Sequence, residues 1–87
     1  MTQIISETRG TNPSIPHLTQ REVEVMRAWF ISPSKGAAAD SLRICEDTVR
    51  SHTTNVRNKY HAVGRDASKK AAMMARMIED GYLSNPI

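Results

Sequence analysis

The sequence predicts an all-α domain of four short helices, with the second and third crossing at a tight turn. Three observations predict it. Thr19 and Glu22 have the spacing of a capping box that opens a helix. Pro33, Gly64 and Gly81 then punctuate stretches whose apolar residues recur at helical intervals. Finally, TVRSHTTNVRNKYHAVGR, between Asp47 and Asp66, contains no acidic residue but carries Arg50, Arg57, Lys59 and Arg65. The chain has 87 residues, 39% of them apolar and 5% aromatic, which supports one small domain with a modest core.

Residues 1–17, rich in Thr, Ser and Asn with Gly10, Pro13 and Pro16, read as a flexible N-terminal arm. The folded domain is expected over 18–83, with 84–87 a short tail. Leu18 precedes the Thr19 cap and Val23 follows it by one turn, so the two are placed for a hydrophobic staple. Val25, Met26 and Trp29 continue the first helix, and Pro33 ends it by restricting the residue before it. Ser34 is placed to cap a second helix, KGAAADSL, in which the alanines favour helix, Gly36 weakens it and Leu42 is the large apolar anchor. Ile44 is expected to plug the corner before the third helix.

That third helix is expected over 46–61. Val49, Val56 and Tyr60 form its apolar side, with His52 and Thr53 between them. Arg50, Ser51, Thr54, Arg57 and Asn58 form the opposite side, where short hydrogen-bonding groups alternate with cations and acids are missing. Gly64 or Asp66 is expected to cap a fourth helix running to about Asp80, with Gly81 just beyond its end. On it Ala71, Met74 and Ile78 make one stripe and Met73 and Met77 another, wide enough together to meet a second subunit.

The formal net charge of +3 favours an anionic partner. A basic helix behind a helix-turn is shaped for the DNA major groove, so a helix-turn-helix domain is the expected architecture. The single cysteine, Cys45, excludes an internal disulfide and fits a reducing cytoplasm. No secretory signal or membrane span is expected, and no metal, cofactor or small-molecule ligand is suggested. Glu22, Glu24, Asp40 and Asp47 form no evident pair with a base, which argues against an enzyme. Cys45 is more simply a small turn residue than a redox sensor, and His52 more simply a satisfied structural histidine than a pH switch.

LTQREVEVM, the Ala-rich segment ending in Leu42-Arg43-Ile44, DTVRSHTTNVRNKY and Gly64-Arg65 together resemble the LuxR/FixJ/NarL (GerE-type) DNA-binding domain. The likeness runs without a gap from Leu18 to Arg65. It rests on Leu18, Thr19, Arg21, Glu22, Glu24, Val25, Ala39, Leu42, Ile44, Thr48, Val49, His52, Asn55, Val56, Lys59 and Arg65. The resemblance implies a four-helix bacterial transcription regulator whose third helix enters the major groove and whose last helix makes a homodimer on inverted half-sites. By position it assigns Arg50, Ser51 and Thr54 to base edges. Thr48, Asn55 and Lys59 match backbone-contacting or helix-setting positions, and Thr19 and Arg21 lie where phosphate approaches the first helix.

Charge adds Lys35, Arg57 and Lys59 to the phosphate contacts. Met73, Met74, Met77 and Ile78 are the expected dimer interface. Double-stranded DNA is the expected partner, with RNA polymerase as a further one.

The sequence also departs from the family pattern. Ser32 stands where Gly is common, Ala38 where a large aliphatic residue is common, and Cys45 where Ser usually caps the recognition helix. Phe30 is expected to fill the space left by Ala38. Thr54 replaces a frequent Lys, which shifts the expected base preference. Sensor domains typical of the family do not appear in the chain, so it also reads as an effector half. The competing reading is a protein-interaction module of the same fold that binds another regulator or a polymerase subunit instead of DNA.

Overall fold

The computed structural model describes residues 15–83. Among them are four helices and no strand: α1 (Gln20–Phe30), α2 (Lys35–Leu42), α3 (Glu46–Ala62) and α4 (Lys70–Glu79). The N-terminal arm lies outside the described residues except for its last three, and the tail lies outside them entirely.

Those last three residues are already bound to the domain. Pro16 is buried, its carbonyl accepts a hydrogen bond from the Tyr82 hydroxyl, and that hydroxyl accepts one from the Leu18 N–H at 3.2 Å. Two ends of the fold, distant in sequence, are thus tied by one phenol.

The capping box at α1 forms as its spacing requires. Thr19 Oγ1 accepts from the Glu22 N–H (3.1 Å) and Glu22 Oε1 accepts from the Thr19 N–H (2.9 Å). Leu18, Val25, Met26 and Trp29 are buried, and Val23 packs against this core from its margin. Phe30 is only half-buried, its ring 5.7 Å from that of Trp29. It packs against the core from its margin.

Ser34 Oγ accepts from the Ala37 N–H at 3.1 Å and starts α2. Ala38 and Ala39, not Leu42, make the buried contact of this helix. Without a large side chain at either position, α2 can approach α1 and α3 closely. It ends with Arg43 in the left-handed region, at φ 59° and ψ 44°. Ile44 N–H donates to Ala39 O (3.0 Å) and Arg43 N–H to Asp40 O (3.2 Å), the bond pair of a Schellman motif. Ile44 then tucks partly under the core, as expected for the corner.

On α3 Val49, Val56 and Tyr60 are fully buried. Thr53 joins them because its hydroxyl donates to the Val49 carbonyl at 2.8 Å, leaving a methyl for the core. Cys45 is the N-cap of α3 but supplies no side-chain hydrogen bond.

The start of α4 differs from expectation. Its N-cap is Lys69, not Gly64 or Asp66. Asp66 Oδ1 instead accepts from the Ser68 N–H at 3.2 Å, an Asx turn. Ala67 is buried, so the chain dips into the core before the helix begins. Gly64 (φ 75°) follows the end of α3, and Gly81 (φ 83°) follows the Asp80 C-cap of α4, where an L side chain would be strained.

Met73 and Met77 are completely buried and complete the domain's own core. This corrects their assignment to a dimer interface: their side chains are already fully packed within one chain. Met74 and Ile78 are half-buried on the adjoining stripe, and Ala71 is exposed.

Candidate nucleic-acid interface

The outward side of α3 is defined by what its buried side leaves over. With Val49, Thr53, Val56 and Tyr60 turned inward, Arg50, Ser51, Thr54, Asn55 and Asn58 are all exposed. Arg50, Ser51 and Thr54 occupy i, i+1 and i+4 in the first half of the helix, so they share one face. In a helix-turn-helix the N-terminal part of the recognition helix meets base edges. Arg50 brings a bidentate donor suited to guanine O6 and N7, while Ser51 and Thr54 bring short hydroxyls.

The acid-free stretch does not describe the whole of this face. Glu46 and Asp47 open α3, and Arg50 donates from Nη2 to Glu46 Oε2, with its Nε 4.0 Å from Asp47 Oδ1. A cation and two carboxylates therefore share the tip of the helix. Their i, i+4 and i, i+3 spacings are legible in the sequence.

Around this face the expected phosphate-contacting residues fall into two groups. Arg21 is exposed and only lightly engaged, 3.2 Å from Glu24 with both side chains near half exposure. Asn55 is exposed and Thr48 half-buried. Lys35 Nζ lies 4.9 Å from the Trp29 ring centroid, at the start of α2, and Lys70 Nζ lies 5.3 Å from the same centroid. Lys70 also donates to the Ser32 carbonyl at 2.8 Å. Two ammonium groups thus flank one indole. Thr19 spends its backbone N–H and an oxygen lone pair on the cap but keeps its hydroxyl proton.

Lys59 belongs to the other group. Its Nζ donates to Glu22 Oε1 (2.7 Å) and to the His17 carbonyl (3.0 Å). Glu22 is 5% exposed. Burial alone would raise its carboxyl, but the Lys59 ammonium and the Thr19 bonds outweigh this and hold it below its ordinary value of 4.5. Lys59 therefore joins α3 to the capped start of α1, the helix-setting alternative. This internal commitment favours the helix-setting role for Lys59, whose side chain stays 35% exposed.

Arg57 is half-buried, and its Nε is buried without a hydrogen-bond partner among the described residues. His52 is likewise half-buried, and the satisfied structural histidine expected here lacks a partner at Nδ1 among the described residues.

A second ionic node steadies the far end of α3. Asp80 Oδ2 accepts from Tyr60 Oη (2.9 Å) and Arg65 Nη1 (2.8 Å), while Arg65 Nη2 reaches Glu79 at 3.0 Å. Burial first, and then the bond to Asp80, push the Tyr60 phenol far above its ordinary value. This node ties α3 to the end of α4. Nothing in local spacing announces it.

A tight turn between α2 and α3 and a polar, cation-bearing face on α3 define a helix-turn-helix DNA-binding domain. The GerE model, described as bacterial regulatory proteins of the luxR family, matches residues 16–75, and the chain belongs to that family. No curated protein and no solved structure matches the chain. No helix among the described residues is long and apolar enough to cross a membrane.

Proposed function

We propose that the chain is a sequence-specific regulator of transcription that reads double-stranded DNA with α3 in the major groove. The observation that carries this reading is the exposure of Arg50, Ser51 and Thr54 on one face of α3, behind the hydrogen-bonded turn from α2. Arg50 is assigned the largest share of base discrimination, about 1–3 kcal/mol for a bidentate guanine contact. Arg21, Lys35, Thr19, Thr48, Asn55 and Arg57 are assigned to the phosphates on either side. A second copy pairs through Met74 and Ile78 of α4, so that two α3 helices address inverted half-sites.

The test is fluorescence anisotropy of the full chain with a pool of randomised duplexes, followed by selection from that pool. Wild type is expected to select a two-fold site and to lose affinity steeply between about 50 and 200 mM salt. Arg50→Ala is expected to bind the selected site about 5- to 100-fold more weakly, corresponding to roughly 1–3 kcal/mol, and to relax the preference at one base pair. Absence of binding at low salt would overturn the reading and leave the protein-interaction module as the account of this fold.

A further inference from the structure

The Glu46 side chain stands between the start of α2 and the guanidinium that α3 offers to DNA. Its Oε2 accepts from Arg50 Nη2. Its other oxygen faces back across the turn, where a methyl group built on Gly36 would stand 3.2 Å from Oε1. The first N–H groups of α2 have no carbonyl partner within the helix, and its N-terminus carries partial positive charge. The same carboxylate thus stands beside the start of α2 and holds the Arg50 guanidinium. Gly36 leaves room for it, since a side chain there would crowd the same oxygen.

We propose that Glu46 determines specificity by keeping Arg50 from the phosphate backbone, surrendering it only to a base edge. This rests on the DNA-reading role of α3. Both partners are about half exposed, so their bond is weak. A single phosphate contact, screened by salt and opposed by the Glu46 charge, competes poorly with it. Guanine presents two acceptors to the guanidinium fork and competes well. The pair therefore disfavours binding to arbitrary sequence more than binding to a site with a guanine beneath Arg50. A helix-supporting i, i+4 pair with no further role affects fold stability alone.

Glu46→Gln keeps the shape and removes the charge. Anisotropy with a mixed-sequence duplex is measured for wild type, Glu46→Gln, Arg50→Ala and the double variant, at about 50 and 200 mM salt, alongside the selected duplex. Glu46→Gln is expected to bind the mixed-sequence duplex about 3- to 10-fold more tightly at the lower salt. Its log–log salt slope should steepen by about one, the signature of one more neutralised phosphate. Affinity for the selected duplex should change less, so the ratio between the two falls. In the Arg50→Ala background the gain from Glu46→Gln should vanish. An equal gain in that background would reduce Glu46 to a general repulsive charge and overturn the proposal, as would no gain in the single variant. If neither wild type nor Glu46→Gln binds any duplex, the DNA reading and this role fall together. If wild type binds and Glu46→Gln gains nothing, only this role falls.

Discussion

At the scale of single residues, Lys59 separates folding from recognition. A cation on the third helix of a DNA-binding domain invites assignment to phosphate, yet this one donates to a nearly buried carboxylate and to a backbone carbonyl. Removing the ammonium strands Glu22, whose remaining partners are at the Thr19 cap. Lys59→Met should therefore destabilise the domain by about 2 kcal/mol in urea unfolding, in the range for hydrogen bonds to charged groups. The salt slope of DNA binding should be that of wild type, because no phosphate contact is lost. A slope reduced by about one would return Lys59 to the interface.

The same ion pair sets a pH dependence. The Glu22 carboxyl is depressed in the folded chain, so its stabilising contribution is present above the unfolded value, near 4.5, and fades as pH falls through the lower folded value. Unfolding midpoints of wild type should thus drop as pH falls below about 4.5. Glu22→Gln, less stable at neutral pH, should show a shallower drop.

At the scale of elements, legibility followed how local each signal was. The bounds of α2 and the start of α1 were readable because Ser34 and the Thr19–Glu22 box act within one turn, and α3 ends one residue beyond expectation. The start of α4 was not readable. Asp66 is chemically fit to cap a helix, but Ala67 must reach the core first, and that requirement comes from packing. The exposed face of α3 was legible from periodicity. Its pairing with Glu46 was equally local but was hidden by beginning the acid-free stretch after Asp47. The Lys59–Glu22 and Tyr82–Pro16 links join residues far apart in sequence, and no spacing rule reports them.

Two helices, α3 and α4, start without a side-chain cap bond, and the cap of α3 is the one a single atom can mend. Cys45 stands at the N-cap with extended backbone geometry and no side-chain bond to the first turn. Cys45→Ser should stabilise the domain by about 1 kcal/mol, since a serine oxygen can accept one of the free N–H groups there. Chemical denaturation measures it. A gain below a few tenths would mean that water already satisfies the helix start.

At the scale of the whole molecule, α4 determines whether the domain acts alone. It contributes Met73 and Met77 to the core and joins α3 through Asp80, so its inner side is fully committed. Met74 and Ile78 remain half-buried beside it. A patch this small gives weak association, yet two weak contacts on one duplex reinforce each other, because the second α3 then binds at high effective concentration. Adjacent methionines therefore have opposite expected phenotypes.

Met73→Asp places a charge in a closed core and should abolish cooperative unfolding. Met74→Asp should leave the helical circular dichroism and the unfolding midpoint nearly unchanged. Its affinity for a duplex carrying two inverted half-sites should fall toward that for one half-site, a loss of about 10²-fold or more. Binding to a single half-site should be unaffected. Sedimentation of the DNA complex reads the same difference as two chains per duplex for wild type and one for Met74→Asp. If Met74→Asp still loads two chains with wild-type affinity, pairing does not run through this stripe, and α4 serves the fold alone.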